Sequence, residues 1–295
     1  MAKKISSYSK LEKKLLQKVG WLNRRYNFIR PGDKILLGVS GGKDSLSLAL
    51  LLHSLKARAP FDFSVTTITL DQGLGRQDVE RIEEWMALHQ IPWRLKATNI
   101  QETCEAVVPE GKSPCSACAR FRRGILYDTA HEENAVLALG HHADDAVETL
   151  LMNIFFTGKL QSMPPVLLAD DGRNRLIRPM LYLRERDIAQ YATLTKAPIV
   201  GPCSCPGVQW ISSGQRRKMK DLVRQMENDF PETGQHLLSA TGNVKVSNLM
   251  DHDLFDFSSL RCSWEPEIFQ GSPWKNGVSC RESRQLGGGH GTCEE

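Results

Sequence analysis

Three groups of residues in this 295-residue chain have the types and spacing that chemistry requires. The first is Ser40-Gly41-Gly42-Lys43-Asp44-Ser45. Glycines let a backbone approach phosphate closely, and the N–H groups at the start of a helix point at an anion. Lys43 adds a full positive charge, and the hydroxyls of Ser40 and Ser45 can donate further hydrogen bonds. Asp44 is odd in a pure anion cradle; it makes sense if Mg²⁺ bridges its carboxylate to a phosphate. The run is not a Walker A loop, which needs a longer spacer before Gly-Lys and a Ser or Thr after it. The competing possibility is a glycine turn that only begins a helix.

The second group is Pro114-Cys115-Ser116-Ala117-Cys118, with Cys203 and Cys205 far along the chain. Thiolates in a C-x-x-C can face one metal atom or cluster from a single turn. The N-terminus MAKKISSYSKLEKK has no apolar stretch of the kind a secretory signal carries. The eight cysteines therefore point to metal or redox chemistry in the cytoplasm rather than a disulfide framework. Four ligands would suggest zinc, and three with an open position a 4Fe–4S cluster; the spacing leaves both open, alongside unligated buried thiols. The third group follows the apolar run AVLALGHH (135–142): Gly140, His141, His142, then Asp144 and Asp145. The carboxylates could hold Mg²⁺ or act on a proton, or Asp144 could cap the helix that follows. Asp71 ends another apolar run and could meet a nucleotide, or serve only its loop.

The elements around these groups alternate. KILLGVS (34–40), FSVTTITLD (63–71), IPWRLKAT (91–98) and AVLALGHH (135–142) read as strands. Helices are predicted at 46–57, 77–89, 144–156 and 185–193, with 175–181 a short strand or extended segment. That order specifies an α/β fold, a parallel sheet with helices on both faces. Residues 8–28 form an amphipathic helix, with Leu11, Leu15, Leu22 and Tyr26 on one stripe. From about residue 262 the chain turns to Ser, Gly and polar residues, a composition that favours disorder. No apolar run is long enough to span a membrane.

The net charge of +4 is unevenly placed. Residues 1–34 carry ten Lys or Arg, among them Lys13, Lys14, Arg24 and Arg25, against Glu12 and Asp33. Further basic runs are Arg120, Arg122 and Arg123, and Arg216, Arg217, Lys218, Lys220 and Arg224. Such clusters suit a phosphate-rich polymer, although any one of them could be a solvated helix face.

SGGKDS after a first strand resembles the pyrophosphatase loop of the N-type ATP pyrophosphatases, which include GMP synthetase, lysidine synthetase and tRNA thiolation enzymes. CSACARFRRGILYDTA, LALGHHADDAVETLLMNIFFTGKLQSMPP, IRPMLYLRERDI and Asp-Leu-Phe-Asp-Phe (253–257) resemble the tRNA 2-thiocytidine synthetase family over roughly residues 10–260. The resemblance implies a Rossmann-like PP-loop domain over 31–200, after a basic N-terminal helix (1–30) and before a cysteine-bearing helical segment (201–260) and a tail (261–295). It also implies that ATP with Mg²⁺ adenylates the C2 oxygen of cytidine 32 in a tRNA anticodon loop, with sulfur then replacing it. On this basis Ser40 to Ser45, Asp71 and Gly140 bind ATP, and Asp44, Asp144 and Arg122 are catalytic. Arg122 has an alternative in contact with the tRNA backbone. A 4Fe–4S cluster would be held by Cys115, Cys118 and Cys205, with Cys203 the alternative because the spacing here is Cys-Ser-Cys instead of Cys-x-x-Cys. Lys13, Lys14, Arg24, Arg25, Arg123, Arg216 and Arg217 are the tRNA-binding candidates. A cysteine desulfurase as sulfur donor and a homodimer are family expectations. The nearest rivals are a uridine-thiolating sister enzyme, a related enzyme with a non-RNA substrate and a non-catalytic zinc protein that binds RNA.

Overall fold

The apolar run after Pro31-Gly32 becomes the centre of a sheet. A computed structural model of the chain describes residues 2–72, 75–109, 114–170, 172–200, 214–260 and 262. The elements in chain order are α1 (Ala2–Tyr26), β1 (Lys34–Gly38), α2 (Lys43–Lys56), β2 (Ser64–Leu70), α3 (Arg76–Leu88), β3 (Trp93–Lys96), α4 (Ile100–Val107) and α5 (Cys115–Glu132). They continue with β4 (Val136–Ala138), α6 (Ala143–Thr157), β5 (Val166–Leu168), β6 (Arg175–Ile177), α7 (Glu185–Leu194), α8 (Gln215–Asp229) and α9 (Thr233–Ala240). The strand order is β3-β2-β1-β4-β6-β5. All pairs are parallel except β5 with β6.

The period of two along β1 builds both faces. Ile35 and Leu37 join a core with residues of α1, α2, α3, α6 and α7. Leu36 joins Ile68, Leu137 and Leu176 on the other face, which α4 and α5 cover. A buried parallel strand can therefore be apolar throughout, as KILLG nearly is. The α/β order read from the sequence is the order observed. The segment at 175–181 is strand only to Ile177. The antiparallel edge strand β5 and the helices α4 and α5 have no counterpart in the sequence-based prediction.

The predicted stripe of α1 is its buried face. Leu15 and Leu22 are fully buried, and Leu11 and Tyr26 pack partly against the same core. Glu12 is also buried and accepts a hydrogen bond from Ser54 Oγ at 2.6 Å. α1 is thus a structural part of the sheet's helical layer as well as a carrier of basic residues. The chain forms two units, Met1–Asn243 and Val244–Glu295, so α8 and α9 belong with the sheet. In the second unit the described residues form 3-10 turns at Val246–Asn248 and Phe257–Ser259. The Asp256 carboxylate accepts from Ser258 N at 3.0 Å, and the Phe255 and Phe257 rings meet edge-on at 4.9 Å. The tail from 263 onward lies outside the described residues.

Truncating Leu22 to Ala should cost about 3 kcal/mol, the usual loss for a fully buried leucine. Urea denaturation should give one transition at a lower midpoint. A separate early transition for α1 would show instead that this helix is not integral to the core.

Candidate active site

Parallel strands end at one edge, and ligands in such sheets bind where the strand order reverses. Here that place is the crevice between β1 and β4. The loop after β1 bends sharply at Gly41, whose φ is +77°. A Cβ there would stand 2.9 Å from the Val200 Cβ, so the position excludes a side chain on two grounds. Val200 N closes the contact by donating to Gly41 O at 3.0 Å. α2 then starts with no side-chain cap at Gly42, which leaves its first-turn N–H groups for a ligand. The hydroxyls of the loop are used internally. Ser45 Oγ donates to Gly42 O at 3.0 Å and accepts from Ser40 N at 3.2 Å.

Lys43 Nζ contacts Asp44 Oδ2 at 3.0 Å and Glu185 Oε1 at 3.2 Å. Burial alone would lower its pKa, but the two carboxylates outweigh it and hold the lysine above its ordinary value. Asp44 Oδ1 is buried and has no hydrogen-bond partner, with His142 Nε2 3.8 Å away. A carboxylate with one oxygen on Lys43 and the other orphaned fits a Mg²⁺ ligand, because a bound cation would satisfy it.

The loop after β4 lies against this turn. A methyl on Gly140 would reach van der Waals distance of Ser45 N, at 3.4 Å. His142 is buried and caps α6. Its Nδ1 accepts from Asp145 N at 3.4 Å, and the Asp145 carboxylate accepts from His142 N at 3.0 Å. The capping role proposed for Asp144 therefore falls to His142 and Asp145. Asp144 instead braces α7: its Oδ1 accepts from Arg184 Nε at 3.1 Å and Nη2 at 2.9 Å, and its Oδ2 from Glu185 N at 2.6 Å. Both oxygens are engaged, a geometry that suits positioning better than proton transfer. His141 is pushed down to about 4, chiefly by burial, with Arg178, Arg216 and His142 adding to it and Asp145 opposing. It is neutral at neutral pH, and its Nδ1 has no partner.

Asp71 and Gln72 follow the end of β2. Asp71 N donates to Lys96 O at 2.9 Å, and its own carbonyl accepts from Thr98 Oγ1. Cys118 Sγ lies 3.3 Å from Gln72 Oε1. Cys115, Cys118 and Arg122 share one face of α5, at i, i+3 and i+7. α5 lies against the strand that feeds the glycine turn, since a Cβ on Gly38 would meet Leu126 Cδ1 at 2.9 Å. Both thiols are half-buried in the first turn of a helix. They fit two ligands of a metal or cluster; Cys203 and Cys205 lie outside the described residues.

The basic candidates separate. Lys13, Arg24, Arg25 and Arg123 are exposed. Arg25 lies over the Trp21 and Tyr26 rings at 5.6 and 5.7 Å. Lys14 pairs with Asp187 at 3.0 Å. Arg217 pairs with Asp221 along α8 at 3.0 Å. Arg216 is a docking residue, reaching Asp145 at 3.1 Å and Thr149 at 3.3 Å.

Three residues of this edge were not singled out from sequence, and a fourth, Lys220, was read only as one charge of a basic run. Arg184 and Glu185 sit at the start of α7, and Lys220 Nζ meets Glu185 Oε2 at 2.5 Å. Arg178, directly after β6, is 8% exposed; its Nη1 donates to Pro164 O at 2.7 Å, and its buried Nε has no partner. Arg184, Glu185 and Lys220 meet partners on other elements, which no local pattern marks.

A sheet of this order with a glycine turn and lysine at the reversal defines the class: the family described as "PP-loop domain" matches residues 8–200. A "tRNA-cytidine(32) 2-sulfurtransferase" of Paraburkholderia phymatum is 41% identical over 260 residues, 88% of this chain and 76% of that one. The protein of the same name from Burkholderia multivorans is 41% identical and covers 88% and 78%. The chain belongs to this family of sulfurtransferases within the PP-loop proteins. Among solved structures, "U34-tRNA thiolase NcsA from Methanococcus maripaludis with its [4Fe-4S] cluster" superposes with a TM-score of 0.59 at 22% identity, covering 80% of this chain and 79% of that one, which shows a shared fold.

Glu148, buried in α6, offers a titration test. Burial first, then Asp145, raises it from 4.5 to about 7, against Arg216 and Lys220. Between those values the folded state holds more protons, so this group lowers stability as pH rises through the window. His141 acts oppositely, since its lowered value makes stability rise from about pH 4 to 6.5. The two slopes offset each other, so Glu148→Gln should show urea midpoints that rise more steeply with pH than the parent's up to neutrality. An unchanged profile would mean that Glu148 titrates normally.

Proposed function

We propose that this chain uses ATP to replace the C2 oxygen of cytidine 32 in tRNA by sulfur. The observation that carries the proposal is the orphaned Asp44 oxygen in an uncapped glycine turn, beside the helix that bears Cys115 and Cys118. The names of the 41% identical relatives give the substrate. The uridine label of the NcsA structure belongs to a chain of 22% identity and is the weaker guide.

The triphosphate lies over Gly41, Gly42 and the first turn of α2, where N–H groups and Lys43 meet its negative charge. Asp44 would hold Mg²⁺, which neutralises charge on the leaving pyrophosphate. The cytidine leaves its stack, which costs less in a loop than in a duplex. Its C2 oxygen attacks the α-phosphorus, the bond to the β-phosphate bridge breaks, and pyrophosphate leaves. Hydrosulfide then adds at C2, the C–O bond breaks, AMP departs with the former C2 oxygen, and the sulfur gives up its proton. A 4Fe–4S cluster held by Cys115, Cys118 and Cys205, or Cys203 in its place, would supply a site for inorganic sulfur. His141, kept neutral by burial, offers a ring nitrogen to the base without adding charge. Asp144 fixes Arg184 and the start of α7, and Arg122 shares the thiol face and meets phosphate.

Lys13, Arg24, Arg25 and Arg123 are exposed cations suited to tRNA phosphates, with Lys14, Arg216 and Arg217 contributing where their acidic partners release them. Trp21, beside Arg25 and 5.4 Å from the Tyr182 ring, adds an exposed aromatic face. No helix among the described residues is long and apolar enough to cross a membrane. On this reading the enzyme works in the cytoplasm as a homodimer and receives its sulfur from a cysteine desulfurase.

Asp44→Ala should lower tRNA-dependent pyrophosphate release by about 100-fold or more, with tRNA affinity little changed. Mass analysis of tRNA nucleosides from cells carrying only this variant should then lack 2-thiocytidine. Normal 2-thiocytidine in cells without the protein would refute the assignment. Cys115→Ser, purified without oxygen, should lose the broad near-visible absorbance of an iron–sulfur chromophore that the parent shows. A colourless parent with stoichiometric zinc would replace the cluster with a structural metal.

A further inference from the structure

The phosphate-loop lysine is joined to a second lysine through one carboxylate. Glu185 Oε1 faces Lys43 Nζ at 3.2 Å, and Glu185 Oε2 faces Lys220 Nζ at 2.5 Å. The three side chains are 23%, 27% and 24% exposed, so all open to the same solvent edge without being loose on the surface. A carboxylate with one ammonium on each oxygen imitates a phosphate shared between two lysines. A cavity of about 320 Å³ opens on the Lys220 side of Glu185, lined by Arg184 and Arg224 as well as by Asp144 and Glu227, and does not reach Lys43.

We propose that Lys220, carried on α8, is a second phosphate-binding cation of this site, and that Glu185 holds its place until nucleotide arrives. The proposal rests on the ATP-dependent function put forward above. Its physical basis is charge balance. A polyphosphate brought to Lys43 is repelled by Glu185, so the carboxylate yields its lysines to the incoming anion. Lys220 is not needed merely to dock α8. Arg216 already ties that helix to Asp145 at 3.1 Å, and Glu227 ties it to Arg184 at 2.7 Å. Neither of those pairs shares an acid with Lys43; Lys220 does.

The test is calorimetric titration of the full-length protein, prepared without oxygen, with Mg-ATP, Mg-pyrophosphate and AMP. Lys220→Met should weaken ATP and pyrophosphate by about tenfold, as loss of one charge-assisted contact does, and leave AMP within about twofold. Lys220→Arg should restore most of the loss. Glu227→Gln, which loosens α8 through Arg184, should leave pyrophosphate affinity within about twofold of the parent. Should Lys220→Met fail to fold, Lys220→Gln carries the same expectation. Unchanged pyrophosphate affinity in the Lys220 variant, equal loss of all three ligands, or the same loss in Glu227→Gln would overturn the proposal. Those outcomes leave the ATP-dependent function standing. A parent protein that binds none of the three would remove that function, and this proposal with it.

Discussion

The backbone can leave β1 and enter α2 in only one way, and the site follows from it. Gly41 sits in the left-handed region with Val200 packed behind its Cα. That packing commits the chain to a tight turn and aims the uncapped start of α2 into the crevice between β1 and β4. Negative charge is stabilised there by the backbone itself, before any side chain is counted. Ser40 and Ser45 spend their hydroxyls on the bend itself. Lys43 and Asp44 are then the residues with capacity to spare, one as cation and one as an orphaned oxygen.

Acids and bases around this turn are organised in ladders rather than isolated pairs. Asp144, Arg184 and Glu227 link α6, α7 and α8; Lys43, Glu185 and Lys220 link the phosphate loop to α7 and α8; Asp145, Arg216 and Glu148 link α6 to α8. Single exposed ion pairs contribute little, but shared, half-buried ones fix relative positions. Glu185 shows the strength of the coupling. Burial works against its charge, yet Lys220 and Lys43 bring it down to about 2. A group held that firmly as an anion beside a phosphate loop makes the local charge balance respond to any anion that enters.

Local signals in the sequence were strong where the geometry is local. KILLG is apolar because both faces of β1 are covered, and SGGKDS marks its own turn because only glycine tolerates Gly41's φ. The stripe of Leu11, Leu15, Leu22 and Tyr26 identified the buried side of α1. What stayed hidden depends on long-range pairing. Asp144 looked like a cap or a reactive carboxylate, and only the fold brings Arg184 and the start of α7 onto it. Arg216 read as one charge of a basic run, and only the fold brings Asp145 to it. β5 pairs with β6 antiparallel at the sheet edge, with three residues and no alternation to announce it. Lys220 read as one charge in a basic run because its partner lies on another helix.

The braced state of Asp144 agrees with the chemistry proposed for the site. The C2 oxygen of a neutral cytosine is a carbonyl and carries no proton, so its attack on phosphorus needs no general base. What that step needs is charge stabilisation, because negative charge gathers on the phosphoryl oxygens and on the departing pyrophosphate. Lys43 and the first-turn N–H groups of α2 are placed for that demand, and a cation held on Asp44 would add to them. A carboxylate free to accept protons would add negative charge where negative charge is already building. Tying both oxygens of Asp144 to Arg184 and the Glu185 N–H removes that liability and uses the residue to hold the α7 end of the cationic ladder. The proton that must be lost belongs to the incoming sulfur in the second step.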